Sequence, residues 1–347
     1  MKQIHGRDHF LQDLESSCAA ANDFTRMSEL CEEALAELLH ECKFDDDVRE
    51  TLEASANEVL AIYSADAVYA AQSTHAFIFE PIADAISNEL FGVEWETNLT
   101  HNELALTLVR TIEDFMGDLD QFLDNFLLVK VVDALVSATV VFYVRCLLMR
   151  SENHASAKMG FFQDTQMALD RMTGDIRVMT EFFEGLVPRM PSLKRVIEKE
   201  FEFFTALYEL ISIAAGLSDS DASNFIIVVH KLLMGNIDLT KHFVGDIWHL
   251  VNPQEEKGIW ELIDSMEEQL EAIAPKSEAA IRKAMDRQQV SGLRLDRMMA
   301  DLYLQSKRKL PIKSSTFEKM VNTLKMDWTS HDKGEGRRQD LSRSLLS

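Results

Sequence analysis

Glycine and proline are scarce in this chain, at 13 and 6 among 347 residues. β-Proteins need many tight turns, and turns are built largely from these two residue types. Their shortage argues against a sheet or barrel. Cysteine is also rare: Cys18, Cys31, Cys42 and Cys146 include no C-x-x-C pair. A chain of this length needs no disulfide staples, so the pattern fits a reducing, cytosolic setting. The opening MKQIHGRDHFLQDL lacks the apolar centre of a signal peptide. No G-x-S-x-G, P-loop, G-x-G-x-x-G or H-E-x-x-H occurs, and nothing argues for catalysis.

Apolar residues are plentiful, at 46%. They fall at helical spacing over long runs, which predicts an all-α chain. The greasiest run is FLLVKVVDALVSATVVFYVRCLLM, residues 126–149. A membrane span needs about 20 apolar residues with charge kept out. Here Lys130, Asp133 and Arg145 interrupt it. At about 100° per residue they share one sector with Ala134, Ser137 and Ala138. A helix that is apolar over most of its girth, with a narrow polar strip, belongs at the centre of a large bundle. No transmembrane span is therefore expected. Cys146, inside this helix, should pack rather than react.

The remaining pattern reads as successive helices. A long one covers 7–42, with a weak point at Asn22-Asp23. The next starts at 47, where Asp45 or Asp46 can cap it, and Pro81 should kink or end it. A short helix at 82–91 would stop at Gly92. Thr100-His101-Asn102-Glu103 reads as a capping box opening a helix to about 123. After 126–150, the polar stretch 151–160 separates a first helical bundle, 1–155, from a second, 156–328. The second holds helices at 161–186, from a Ser192 cap to 215, and from a Ser218 cap to Gly235-Asn236. Others follow from Asp238 to 251 and at about 258–273, 277–289, 291–307 and 314–328. The tail at 329–347 has no periodic apolar pattern and should be disordered.

Charge is unevenly spread. Residues 276–347 hold 16 Lys/Arg against 9 Asp/Glu, a net of +7, while residues 1–275 hold 19 against 49, a net of −30. An acidic body of this kind repels nucleic acid. Its basic end gathers Lys307, Arg308, Lys309 and Lys313, preceded by Arg282, Lys283, Arg287, Arg294 and Arg297. Such a cluster suits anionic lipid headgroups or an acidic partner, although a solvated helical face looks the same.

Two acidic constellations have spacings found in metal sites. Asp46-Asp47-x-x-Glu50 has the carboxylate density that binds Mg²⁺-diphosphate in all-α terpenoid synthases. The plainer reading is a helix N-terminus, where Asp complements the dipole. Glu37-x-x-His40 and Asp246-x-x-His249 echo the Glu-x-x-His pairs of di-iron bundles. The plainer reading is again a solvated helix face. An all-α metal-dependent enzyme is thus the alternative to a scaffold, and no cofactor is expected.

Several stretches, taken in order, resemble one family. FIFEPIADAISNELFGVEW (77–95) has an apolar pair, an acidic residue and Leu-Phe before a Trp. LVRTIEDFMGDLDQFL (108–123) has Thr-x-Glu-Asp-aromatic. The apolar helix ends in Tyr-x-x-x-Leu-Leu. MTGDIRVMTEFF (172–183) has an Asp seven residues before Phe-Phe, and VVHKLLMGNIDLTKHFVGDIW (228–248) has Leu-Leu shortly before an Asp. The set resembles the exocyst subunit of the Sec-six type, exocyst complex component three, over about 75–250. Family members are longer, and the resemblance falls in their C-terminal half. It implies an elongated stack of antiparallel helical bundles, as in tethering rods of the CATCHR class. It also implies a non-enzymatic role in docking secretory vesicles, with sister exocyst subunits and SNARE proteins as partners. The location implied is cytoplasmic and peripheral at the plasma membrane. It carries over no catalytic residue.

Overall fold

The computed structural model describes residues 13–97, 102–152, 161–219, 221–232, 237–251 and 257–273. These residues form helices, turns and bends, with no strand among them. The first two helices, α1 (Leu14–Glu41) and α2 (Asp46–Ile86), pack as an antiparallel hairpin. Asp13 caps α1: its carboxylate accepts the Ser16 N–H at 2.7 Å, and Ser16 Oγ accepts the Asp13 N–H at 3.1 Å. The helix runs unbroken past Asn22-Asp23. Asp45 stands at the cap position of α2, but its side chain makes no capping hydrogen bond.

Of the two outcomes expected at Pro81, a kink or an end, the end does not occur: α2 continues to Ile86. A proline inside a helix forfeits a backbone bond and costs about 3 kcal/mol. Ile78, Ile82 and Ile86 recur every four residues and are all buried. Burying that row, with Phe79 against Phe142, offsets the loss. The short helix expected at 82–91 is therefore the end of α2 followed by a turn. The residue in the left-handed region is Phe91, at φ 64°, not Gly92.

After α3 (Val93–Thr97) come α4 (Glu103–Phe122) and α5 (Asn125–Glu152). By length and composition α5 could cross a membrane, with a mean hydropathy of 2.1, but 83% of that window is buried inside the fold. Helices α2, α4, Leu193–Ala214 and Ile237–His249 surround it. Here α6 is Thr165–Leu186, α7 is Leu193–Ala214, α8 is Ser223–Leu232 and α9 is Ile237–His249. The polar strip is narrower than the helical wheel suggests. Ala134, Ser137 and Ala138 are buried, Lys130 and Asp133 are half-buried, and only Arg145 is exposed.

One oxygen of Asp133 is buried without a hydrogen-bond partner. Burial raises its pKa; Lys130 acts against this, and Glu200 of α7 adds to it. A carboxyl raised in the fold gives up stability as pH climbs from the ordinary value near 3.8 through the folded value. Asp133→Asn should therefore stabilise the protein by about 1 kcal/mol at pH 7, with the gain vanishing below pH ~3.8. Urea melts across that range check the sign.

The last described elements are α10 (Lys257–Ser265) and α11 (Glu267–Ile273). The sequence reading makes them one helix. Its break is at Met266, whose N–H is shared between the Leu262 and Ile263 carbonyls. Among the other expected caps, Ser192 makes no capping bond, and Asp221 rather than Ser218 accepts the Ser223 N–H before α8. Buried His230 ties three helices together. Its Nδ1 lies 2.9 Å from Thr240 Oγ1 of α9, and its Nε2 lies 3.1 Å from the Leu270 carbonyl of α11. A carbonyl only accepts, so Nε2 carries the proton and Nδ1 accepts from the hydroxyl. Burial pushes the imidazole pKa down, keeping it neutral.

Candidate interaction surface

The α1–α2 hairpin has two halves. At its base Ser17, Cys18, Ala21 and the α2 row beginning at Ala67 are buried. Asn22 Nδ2 also donates to the Phe122 carbonyl at 2.6 Å, tying α1 to the end of α4. Beyond this, from 22 to 41 and from 46 to 66, no residue is buried. Among the described residues, the two helices there pack chiefly against each other.

Seven of the eleven exposed large apolar side chains of the described residues lie on this hairpin: Met27, Leu30, Leu38, Val48, Val59, Ile62 and Tyr69. They are not scattered. On α1, Met27, Leu30 and Leu38 share a face with Ala34; on α2, Val48, Val59, Ile62 and Tyr69 share a face that Ser55 interrupts. Each helix thus carries two stripes, one facing its partner and one facing water. Phe24 packs on Tyr63 with ring centroids 6.5 Å apart, which sets the antiparallel register. In that register, at about 100° per residue, both outward stripes lie about 95° from the mutual interface in the same sense. For antiparallel helices the same sense means the same side. The stripes therefore merge into one apolar face, the arrangement of a coiled coil lacking a third helix.

A buried junction anchors the base. Arg150, at the end of α5, donates to the Phe91 carbonyl at 2.5 Å, to Glu96 Oε2 at 2.7 Å and to the Phe161 carbonyl at 2.8 Å. Its guanidinium also lies over the Phe162 ring at 4.6 Å. Glu96 Oε1 accepts the N–H groups of Gln163 and Asp164, at the entry to α6. Phe162 N–H reaches the Leu250 carbonyl beyond α9. One ion pair thus joins the α2–α3 turn, α3, α5 and the α6 entry.

Beside it, Asp175 of α6 is fully buried. It accepts from Trp95 Nε1 at 2.8 Å, Asn102 Nδ2 at 2.6 Å and Tyr143 Oη at 3.3 Å. Burial raises its pKa, against the pull of those donors and of Arg171. Asn102 stands at the N-cap position of α4, but its side chain serves Asp175 and the Arg171 carbonyl instead of capping. Thr100 and His101 of the expected capping box lie outside the described residues. Phe91 keeps its left-handed backbone because its ring sits between Trp95 at 4.6 Å and Tyr143 at 4.7 Å. Three of the stretches that carry the family resemblance meet here, through Trp95, Tyr143 and Asp175. Sequence reasoning noted those residues only as pattern letters, and it missed Arg150 and Glu96.

Gly174 touches the same junction. A Cβ there would stand 2.6 Å from Asn102 Nδ2. In a bare helix Gly→Ala gains about 1 kcal/mol. Here Gly174→Ala should instead cost about 1–3 kcal/mol, because the methyl expels the Asn102 amide from Asp175. A thermal melt of the variant reads the sign directly.

The candidate metal ligands do not converge. Asp46, Asp47 and Glu50 are exposed on the first turns of α2, and Glu37 and His40 are exposed on α1. Asp246 and His249 are half-buried on α9. Among the described residues no three His, Cys, Asp or Glu side chains are grouped so as to hold a metal ion. Cys146 is buried, and burial pushes its thiol up to about 12. Lys307, Arg308, Lys309 and Lys313 lie outside the described residues.

A family model described as exocyst complex component Sec6 matches residues 8–250. The match starts well before residue 75, where the resemblance read from motifs begins, and so takes in the whole hairpin. Neither a curated protein nor a solved structure gives a significant match. The family match spans more than half of the chain, and the chain belongs to the exocyst complex component Sec6 family.

Proposed function

We propose that this member of the Sec6 family is a non-enzymatic vesicle-tethering scaffold. It acts in exocytosis by binding sister exocyst subunits and SNARE proteins in the cytoplasm, at sites of secretion on the plasma membrane. The observation that carries this reading is the family match over 8–250, which takes in both the hairpin and the buried junction. The apolar hairpin face supports it, because a scaffold works through exposed surfaces. Affinity capture of the tagged chain from cells should recover exocyst subunits. Repeated captures without any of them would sink the proposal.

The basic end serves as a membrane contact in this reading. Lys307, Arg308, Lys309 and Lys313 would meet anionic headgroups at about 1 kcal/mol per charge. Vesicles containing anionic lipid should retain the wild type better than a variant with all four changed to Glu. Equal retention removes this contact from the proposal.

A further inference from the structure

We infer that the apolar face of the α1–α2 hairpin docks a basic amphipathic helix supplied by a partner protein. Met27, Leu30 and Leu38 of α1 line one side of the seam, and Val48, Val59 and Ile62 of α2 line the other. All six are exposed, and their steps of three and eight on α1 and of eleven and three on α2 return each row to one helical face, as coiled-coil seam residues do. A third helix laid along the seam would insert its own apolar row between the two stripes.

Charge selects the kind of helix. Residues 22–66 contain 13 Asp/Glu and 3 Lys/Arg, a net of −10. Glu37 and Glu58 are exposed at the margins of the seam, and Asp23 and Glu41 are exposed on the same side near the two ends of the α1 row. Those are the margins where a docked helix would place its flanking residues, so Lys and Arg there would be attracted and Asp and Glu repelled. The same arithmetic disfavours a second copy of this chain, whose hairpin would bring another −10 to the contact.

This inference rests on the scaffold reading and gives the partner of that face a chemistry. The test uses the full-length chain and a synthetic peptide of about four heptads, with Leu at the two seam positions and Lys at the flanking ones. A control peptide carries Glu in place of Lys. Fluorescence anisotropy should show the Lys peptide binding at least tenfold tighter, with affinity falling as salt rises. Leu30→Glu with Ile62→Glu should weaken that binding at least tenfold. It does so although it adds negative charge, so non-specific attraction of a cation predicts the opposite. Ala36→Glu with Ala61→Glu makes the same charge change at exposed positions on the other side of the hairpin and should leave binding intact. All these positions are solvent-facing, and unchanged circular dichroism melts verify that each variant is folded.

Equal binding of the two peptides overturns the inference. So does equal binding by the Leu30/Ile62 variant, or self-association of the chain that this variant abolishes. The failures remain separable. Cellular capture can recover exocyst subunits while the peptide does not bind, which removes this surface and keeps the scaffold. Peptide binding without subunit capture does the reverse.

Discussion

Replacing Arg150 by methionine is expected to cost about 3–5 kcal/mol and to lower the melting temperature by roughly 10 °C or more. Methionine matches the stem of arginine, so lost packing is a minor part. The loss comes from what stays behind. Glu96 would be a carboxylate with a 4% exposed side chain and no counter-charge. The Phe91 and Phe161 carbonyls would lose their donor. Breaking one side of a buried pair costs far more than the pair contributes. Hence the second half of the prediction: Arg150→Met with Glu96→Gln should lose less than Arg150→Met alone. A double-mutant cycle in urea measures this coupling. Single and double variants of equal stability would show that the ion pair does not hold the junction.

Asp175→Ala should be comparably damaging, at about 3 kcal/mol or more. Three donors converge on that carboxylate from three different helices or turns; Trp95 and Tyr143 would be left buried without their acceptor, and Asn102 would keep only the Arg171 carbonyl. Arg171 adds to the effect. It is buried, and its Nε and Nη1 lack hydrogen-bond partners, so the charge of Asp175 is an important nearby compensation. Asp175→Asn keeps the shape and one acceptor oxygen. It should lose only about 1–2 kcal/mol, because the high cost of burying the ionised form disappears with the charge. Urea midpoints with unchanged slopes separate the two variants. Trp95 fluorescence should shift more in Asp175→Ala, since its indole N–H loses its acceptor. A loss below about 1 kcal/mol for Asp175→Ala would mean that solvent reaches the site.

The helical class was legible because periodicity and the shortage of turn residues act locally. The burial of α5 was legible for a related reason: three charges on one sector already exclude lipid. What failed were features decided by distant partners. Pro81 reads as a kink or a stop, and the stop is excluded only once the Ile78, Ile82 and Ile86 row is seen to be buried. Asn102 reads as an inner position of a capping box until Asp175 claims its amide. Arg150 reads as the polar end of an apolar helix, and Glu96 as one acid among many. Only the fold places them 2.7 Å apart. The hairpin face was missed for a subtler reason. Met27, Leu30, Val59 and Ile62 look like ordinary core positions of an amphipathic helix, and no local signal tells which of two apolar stripes finds a partner. Wide apolar coverage on both helices of a hairpin was the available clue.

The 41 residues of α2 form one uninterrupted rod of about 60 Å that passes through two very different neighbourhoods. Its amides should therefore report two regimes of hydrogen–deuterium exchange within a single element. Those after Ala67 should exchange only when the whole bundle opens, over hours. Those before Asp66 should exchange through local fraying, orders of magnitude sooner. Whatever comes to rest on the outer half would reveal itself as a slowing confined to that half, with the boundary falling in the middle of a helix.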